Sequence, residues 1–441
     1  MYIAILGRQP ALGLAELETV YGRNKVNKVS EIAACVDGES FDIQKLGGTP
    51  KAGKIVSELK EKSWQKLSQK IVQYYIDKLS ANDSKVTLGI SAYGFDVDTR
   101  EVQKIGIMLK QKLKKQAVSM RLVPNQEIAL SSAVSHHNKL GLSPNKIELL
   151  IIKTDSSTII AESIGSQNIT AYAKRDQARP MRDAFVGMLP PKLAQIMINL
   201  AVGQNMSVQT KAQLSSLHKS DLGIVSSITL EPKSDPTPRL ESDVARSSDA
   251  KNSTQSDDQN MRTILDPFCG TGVILQEAAL MGYSVYGTDL SEKMIRYSRD
   301  NLNWLAESHR TSFEWFLHEG DAMETKWRQP ISAVVSEAYL GQPFSAPPSP
   351  AKLDEVIKNC NHIITEFLKN LAPQIKSGTP ICLAVPAWRN NSGNFTHLPL
   401  IKTVAKLGYK PHEFMNVSQN DLLYYRENQI VARELLVLTR V

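Results

Sequence analysis

The spacing of apolar positions changes several times along the chain, and each change marks an element. Short apolar runs near the start, "YIAIL" and "EIAACV", read as strands. Leu12–Val20 and "SWQKLSQKIVQYYIDKLS" carry helical spacing instead. Residues 1–80 therefore predict a small α+β unit. A second unit opens with the strand "KVTLGISAYGF". In "EVQKIGIMLKQKLKKQ", which follows, Val102, Ile105, Met108, Leu109 and Leu113 share one helical face. Lys104, Lys110, Lys114 and Lys115 fall on the opposite face, with Lys112 at the flank. "IELLIIKTDSSTIIAES" predicts a hairpin turning at Thr154–Ser157. "NITAYAKRD" predicts a further strand. "LPPKLAQIMINLAVG" predicts a helix, with Pro191 in its first turn and Gly203 after its end.

The pattern lapses between residue 206 and about residue 260. "EPKSDPTPRLESDVARSSDAKNSTQSDDQN" is rich in Ser, Asp, Pro and Asn and poor in aromatics, so it cannot offset the entropy of ordering. A disordered insertion is expected at 206–260. From Thr263 the period alternates between strand and helix: "TILDPF", a helix from Gly272, "SVYGTD", the helix "SEKMIRYSRDNLNWL", "SFEWFLHEGDA", "SAVVSEAY", a helix over 352–371, and "PICLAVP". This predicts a parallel sheet with helices on both faces. "DLLYYRENQIVARELLVLTR" adds two strand runs joined at Glu427–Gln429, expected as an antiparallel hairpin at one edge.

At 441 residues, two or three domains are expected. The formal net charge of +7 is uneven. Residues 1–200 hold 28 Lys and Arg against 19 Asp and Glu, and the remainder is slightly acidic. A positive front half suits a polyanionic partner. Cys35, Cys269, Cys360 and Cys382 are widely spaced, which argues against a disulfide framework or a zinc site. No metal is expected. The opening segment lacks the pattern of a signal peptide, and no apolar run reaches 18 residues, so a soluble, cytoplasmic protein is expected.

The most informative stretch is "LDPFCGTGVILQEAALMGYSVYGTD", Leu265 to Asp289. It reads as strand, glycine turn, helix and strand, ending on an acid. Gly270 and Gly272 allow a ligand close to the backbone, and the helix start behind them favours a negative group. Asp289 lies about 20 residues on, the spacing of an acid that accepts hydrogen bonds from ribose hydroxyls. No Lys-Ser/Thr follows the glycines, which excludes a P-loop, and two glycines rather than three disfavour a dinucleotide site. S-adenosylmethionine fits better. Asp321, in "HEGDA" after the third strand, is placed as methyltransferases place the acid that accepts from the adenine amine.

These residues carry a family resemblance. "DPFCGTG" (266–272), "RPMRDAFVGMLPPKLAQIMINLA" (179–201), "SEAYLG" (336–341) and "YYRENQIVARELLVL" resemble the THUMP-domain RNA methyltransferases. The chain is most similar there to tRNA (guanine-N2) methyltransferases acting at position 10, in the D-arm region, and its opening residues also resemble that family. The resemblance implies a Rossmann-like, seven-stranded class I methyltransferase domain over 261–441. A ferredoxin-like domain over 1–80 and a THUMP RNA-binding domain over 81–175 would precede it, both α+β. A linking helix over 176–205 would pack on the methyltransferase domain. It implies S-adenosylmethionine as cofactor, tRNA or another structured RNA as partner, and, for some members, a small activator protein. Asp266 and Phe268 would join Gly270, Gly272, Asp289 and Asp321 around the cofactor. Lys104, Lys110, Lys114, Lys115 and Arg121 would contact RNA, with Arg179 and Arg182 near RNA or the cofactor's entrance.

Family members orient the target amine with Asp/Asn-Pro-Pro-Tyr/Phe after the fourth strand. Here the motif aligns with Ser336-Glu337-Ala338-Tyr339. The aromatic is kept, but the leading acid or amide and both prolines are replaced. The resemblance implies that Tyr339 stacks on the base while Ser336 and Glu337 orient the amine beside the Ala338 segment. Alternatives are another RNA or base amine, such as rRNA guanine-N2 or adenine-N6, and a tRNA-binding protein whose catalysis has decayed.

Overall fold

The computed structural model describes residues 1–61, 63–81, 84–183, 189–203, 262–328, 330–344, 346–427 and 429–441. The expected insertion at 206–260 lies outside the described residues. The residues on either side of it form one compact unit built on two sheets.

The front half contributes β1 (Tyr2–Ile5), α1 (Pro10–Tyr21), β2 (Val26–Ser30), β3 (Ala33–Val36), β4 (Lys51–Leu59), α2 (Trp64–Leu79), β5 (Val86–Tyr93), α3 (Thr99–Lys115), β6 (Met120–Leu122), α4 (Ser132–His137), β7 (Lys146–Lys153), β8 (Thr158–Ser166) and α5 (Ile169–Gln177). Its eight strands make one sheet in the order β2-β3-β1-β4-β8-β7-β5-β6. Residues 1–80 and 81–175 thus meet along the antiparallel β4–β8 ladder. α3 forms as its pattern predicts. Asp98 caps it by accepting from Glu101 N, and Val102, Ile105, Leu109 and Leu113 are buried against the sheet while the lysines stay exposed.

One expected strand is a helix. "NITAYAKRD" folds as α5 because Asn168 accepts from Ala171 N and starts a turn. The Ala-, Lys- and Arg-containing run then continues it. Residues 191–203 form α6 as expected, with Gly203 in left-handed backbone at φ +55°.

The back half contributes β9 (Thr263–Asp266), α7 (Val273–Leu280), β10 (Ser284–Asp289), α8 (Glu292–His309), β11 (Trp315–Glu319), β12 (Ala333–Glu337), α9 (Pro350–Leu371), β13 (Pro380–Arg389), β14 (Phe395–Thr396), β15 (Tyr409–Pro411), β16 (Leu423–Tyr424) and β17 (Val431–Arg440). The main path runs β11-β10-β9-β12-β13-β17-β15. The first five strands are parallel, and β17 alone on this path runs against them, antiparallel to both β13 and β15. This is the Rossmann-like mixed sheet expected of a class I methyltransferase domain. The expected hairpin forms, with β16 pairing antiparallel to the outer side of β17. β17 is interior, between β13 and β15, because both of its faces are apolar and buried. The edge is shared by β16 and the three-residue β15, where Lys410 and Pro411 discourage further pairing.

α6, α7 and α8 cover one face of this sheet, and α9 with residues 398–409 covers the other. α1 joins the two halves. Leu12 and Ala15 pack into the core cluster that holds α6 and the back sheet. Two buried carboxylates complete the joint. Glu16 accepts from Gly47 N and Gly48 N, each at 2.8 Å, and from Asn199 Nδ2 of α6 at 2.7 Å. Burial pushes its carboxyl up to about 7, against those hydrogen bonds. Glu18 accepts from Met415 N and Asn416 N at 2.7 Å and from Asn416 Nδ2 at 2.8 Å.

Glu18→Ala leaves three N–H donors at this joint without their acceptor. A loss on the order of 3 kcal/mol is expected in chemical denaturation. Glu18→Gln, which keeps one acceptor oxygen, should lose less; equal stability of Glu18→Ala and the unchanged chain would contradict the account.

Candidate functional site

The back sheet reverses its strand order between β9 and β12, and the residues singled out from the sequence collect at the carboxyl ends of these strands and of β10. Crevices form at such reversals because successive crossover helices lie on opposite faces of the sheet.

The glycine turn is held from several sides. Gly270 and Gly272 have φ of +51° and +79°. A Cβ on Gly272 would stand 2.9 Å from Ser298 Oγ, so left-handed backbone and close packing both require glycine there. Gly272 N donates to Cys269 O at 2.8 Å and Cys269 N to Thr288 O at 2.9 Å. Ser298 Oγ donates to Gly270 O at 2.8 Å, and Asn301 Nδ2 to Thr271 O at 2.8 Å. Ser298 and Asn301 lie on α8, so the second helix braces the turn that opens the first. The sequence reading missed both. Their only signal was a pair of polar residues three apart on an otherwise apolar helical face. Cys269 is buried, and its thiol is raised well above the ordinary range by that burial. It is a packing residue beneath the turn and is not poised as a thiolate.

Asp289 closes the turn. Its Oδ2 accepts from Gly270 N and its Oδ1 from Ser291 N, both at 2.9 Å. Burial raises its carboxyl, and the two backbone donors oppose that rise. A carboxylate offers about four lone-pair positions, so two remain for hydroxyl donors. Leu290 beside it is 70% exposed, an apolar surface at the sheet edge that the sequence reading did not single out. Asp321 follows β11, with Oδ1 accepting from Met323 N at 2.8 Å. Phe268 packs edge-on against Phe367, with centroids 5.2 Å apart. This set of donors, acceptors and apolar surface fits S-adenosylmethionine: paired acceptors for a ribose, glycine backbone for the methionine end, and an apolar edge for a purine.

Asp266 ends β9 and is 2% exposed. Burial, helped by the nearby Asp289 and Glu337 charges, pushes its carboxyl up to about 8. Two donors work against that rise: Ser336 Oγ at 2.6 Å and Phe268 N at 3.3 Å from Asp266 Oδ1. Ser336 is therefore a correction to the sequence reading. It is wholly buried and its hydroxyl hydrogen is committed to Asp266, so it supports the acid and does not stand at the surface.

Glu337, at the end of β12, is also engaged. Its Oε1 accepts from Arg433 Nε, and both side chains are largely buried. Arg433 went unremarked in the sequence, though a basic residue inside the apolar run "VARELLVL" was a signal. Ala338 N donates to Ala384 O at 3.0 Å, which continues the strand into the motif. Tyr339 is 38% exposed. Of the four-residue motif, Tyr339 alone is exposed, Glu337 is partly so, and Ser336 and Ala338 are buried.

The basic residues separate into groups. Lys104, Lys110, Lys114, Lys115 and Arg121 are exposed on the front half, with Lys104 paired to Glu101 and Arg121 Nη2 donating to Asn138 Oδ1 at 3.1 Å. Arg182 is exposed near the start of α8, where the neighbouring Asp183 pairs with Lys293 at 2.8 Å. Met181 exchanges backbone hydrogen bonds with the Asn301 side chain, which ties this segment to the glycine turn. Arg179 is a second correction. It is 2% exposed, its three side-chain nitrogens have no hydrogen-bond partner among the described residues, and burial lowers its basicity. Enclosed in this way, its guanidinium does not reach a surface where RNA could lie. Asp176, at 3.9 Å, is its one ion-pair partner among the described residues.

Known proteins resemble parts of the chain. Residues 253–338 match the family model described as RMKL-like, methyltransferase domain. A tRNA (guanine(10)-N2)-dimethyltransferase from Methanothermobacter thermautotrophicus is 32% identical over 123 residues, which is 28% of this chain and 32% of that protein. One of the same description from Pyrococcus abyssi is 38% identical over 85 residues, 19% of this chain and 21% of that protein. The chain thus spans a third or less of the length of these curated relatives. The crystal structure of TrmN from Thermus thermophilus aligns with a TM-score of 0.49 and 13% identity, covering 100% of this chain and 99% of that one.

Proposed function

We propose that the chain is an S-adenosylmethionine-dependent RNA methyltransferase that modifies the exocyclic N2 amine of a guanosine in tRNA. One observation carries the reading: an acid at the end of β10, Asp289, caps the backbone of a glycine turn at the strand-order reversal of this sheet. The two curated relatives supply the substrate class. Residues 81–175 act as the RNA-gripping THUMP domain, and the excess positive charge of the front half supplies phosphate-dominated affinity. The protein acts in the cytoplasm.

S-adenosylmethionine supplies an electrophilic methyl group when bound. The protein's task is to orient a poor nucleophile, since the guanine amine shares its lone pair with the ring. Acceptors for its two N–H bonds turn that lone pair out of conjugation. Arg433 fixes Glu337 through Oε1 and leaves Oε2 to accept from the amine, with the Ala338 carbonyl as a second acceptor. Tyr339 stacks on the flipped base. Asp266 provides negative charge for the cationic cofactor.

A second reading, an RNA-binding protein without transferase activity, is favoured by the burial of Ser336 and the loss of both prolines. Incubation with labelled S-adenosylmethionine and unmodified tRNA transcripts, followed by nucleoside mapping, decides between them. N2-methylguanosine supports the first reading, methyl on another base corrects the target, and no transfer with intact RNA affinity supports the second. If label appears only after a cell extract is added, an activator protein is required.

Asp289→Ala should weaken cofactor binding more than tenfold in calorimetry; an unchanged affinity would remove Asp289 from the site. Tyr339→Ala should keep cofactor affinity and lower kcat on the order of 100-fold through misplacement of the base.

Asp266 adds a pH dependence. Its folded carboxyl holds a proton up to about 8. A cation bound beside it favours the carboxylate and expels that proton. Cofactor affinity should therefore rise with pH, by up to about tenfold per unit, and level off above about 8. Asp266→Asn should flatten this profile, as read by titration across buffers.

A further inference from the structure

A cleft of about 600 Å³ lies where the front sheet, α5, the start of α6 and the β16 hairpin meet. Its volume is in the range of small-ligand sites. Three cations line it, Arg8, Lys192 and Arg426, against one carboxylate, Asp176. Arg8 and Arg426 are exposed and Lys192 is half-buried. None of the three has an acidic partner among the described residues. The Lys192 ammonium donates once, to Gln167 Oε1 at 2.7 Å, and lies 5.1 Å from the Tyr172 ring centroid. It keeps two further N–H donors. Tyr424 adds a half-buried aromatic wall. Cations without counter-ions around a concavity, next to an aromatic ring, make a site for a phosphate joined to a planar base.

The cleft also has a defined relation to the candidate catalytic edge. Tyr424 of β16 is the cross-strand partner of Arg433 on β17, and Arg433 holds Glu337. From β12 across β13 and β17 to β16 is three strand spacings, about 14 Å. Gln9 Nε2 donates to Tyr425 O at 2.6 Å, so the front half grips the hairpin that carries this wall.

We propose that this cleft binds one nucleotide of the RNA substrate other than the target base. Arg8, Lys192 and Arg426 take its phosphate, and Tyr424 stacks on its base. The proposal rests on the RNA methyltransferase reading. The same chemistry would also suit a free mononucleotide, and the test separates the two.

Labelled tRNA transcript is titrated at several salt concentrations with the full chain, with the double variant Arg8→Ala/Arg426→Ala, and with Tyr424→Ala. The double variant should lose about tenfold in affinity, and its log–log salt slope should shrink by nearly 2. Tyr424→Ala should lose about tenfold through stacking. Cofactor affinity, measured by calorimetry, should stay unchanged in every variant, which shows the fold intact. Wild-type RNA affinity and slope in the double variant, with the unchanged chain still methylating tRNA, would overturn the cleft and leave the proposed function standing. GMP or AMP is titrated alone in parallel. Mononucleotide binding that is abolished in the double variant, with RNA affinity unchanged, would overturn the RNA assignment in favour of a free-nucleotide site. If the unchanged chain binds neither tRNA nor cofactor, the methyltransferase reading falls, and this proposal with it.

Discussion

Two carboxylates on one short helix hold the halves of this protein in register. Glu16 and Glu18, two residues apart on α1, are both buried, and each accepts three N–H groups. One reaches the 47–48 turn and α6, and the other reaches residues 415–416. Unpaired, each would carry a heavy desolvation cost; paired, each stabilises one geometry over others. The proposed function, in which one half grips a nucleic acid and the other works on it, requires a fixed distance between them. α1 sets that distance through hydrogen bonds, and Leu12 and Ala15 add packing.

The site shows the same use of buried acids. Asp289 and Asp266 sit under opposing influences, since burial raises both and hydrogen bonds lower both. Asp289 takes two backbone donors and so locks the turn it follows. Asp266 takes the Ser336 hydroxyl and lies near two further acids. The altered motif after β12 becomes intelligible in this setting. Ser336 serves Asp266 from below, and Glu337 is oriented by a guanidinium arriving from β17. Where the Asp/Asn-Pro-Pro-Tyr/Phe pattern that this segment resembles relies on prolines for stiffness, this chain supplies an ion pair from a strand two places away in the sheet.

Several elements could be read directly because their cause is local. α3 shows its apolar stripe at helical spacing, and the glycine turn announces itself by residue type and by the distance to Asp289. The failures were also physical. "NITAYAKRD" looks apolar-alternating over a few residues, yet the Asn168 cap decides for a helix. The expected β16–β17 hairpin forms, but no local pattern showed that β17 is also flanked by β13 and β15. Its place between β13 and β15 follows from two apolar faces that both need covering. Arg179 sits among polar residues in sequence and looked exposed, but it is enclosed in the fold.

The amino-acid order alone determined the helix and strand periods, the glycine turn with its distant acid, and the uneven charge, because each depends on spacing within a few turns of chain. The tertiary structure alone decided which donors meet which acids. Arg433 reaches Glu337, Ser336 reaches Asp266 and Glu18 reaches Asn416 across 96, 70 and 398 residues of chain. Such partnerships arise from strand order and helix docking, which no local pattern encodes.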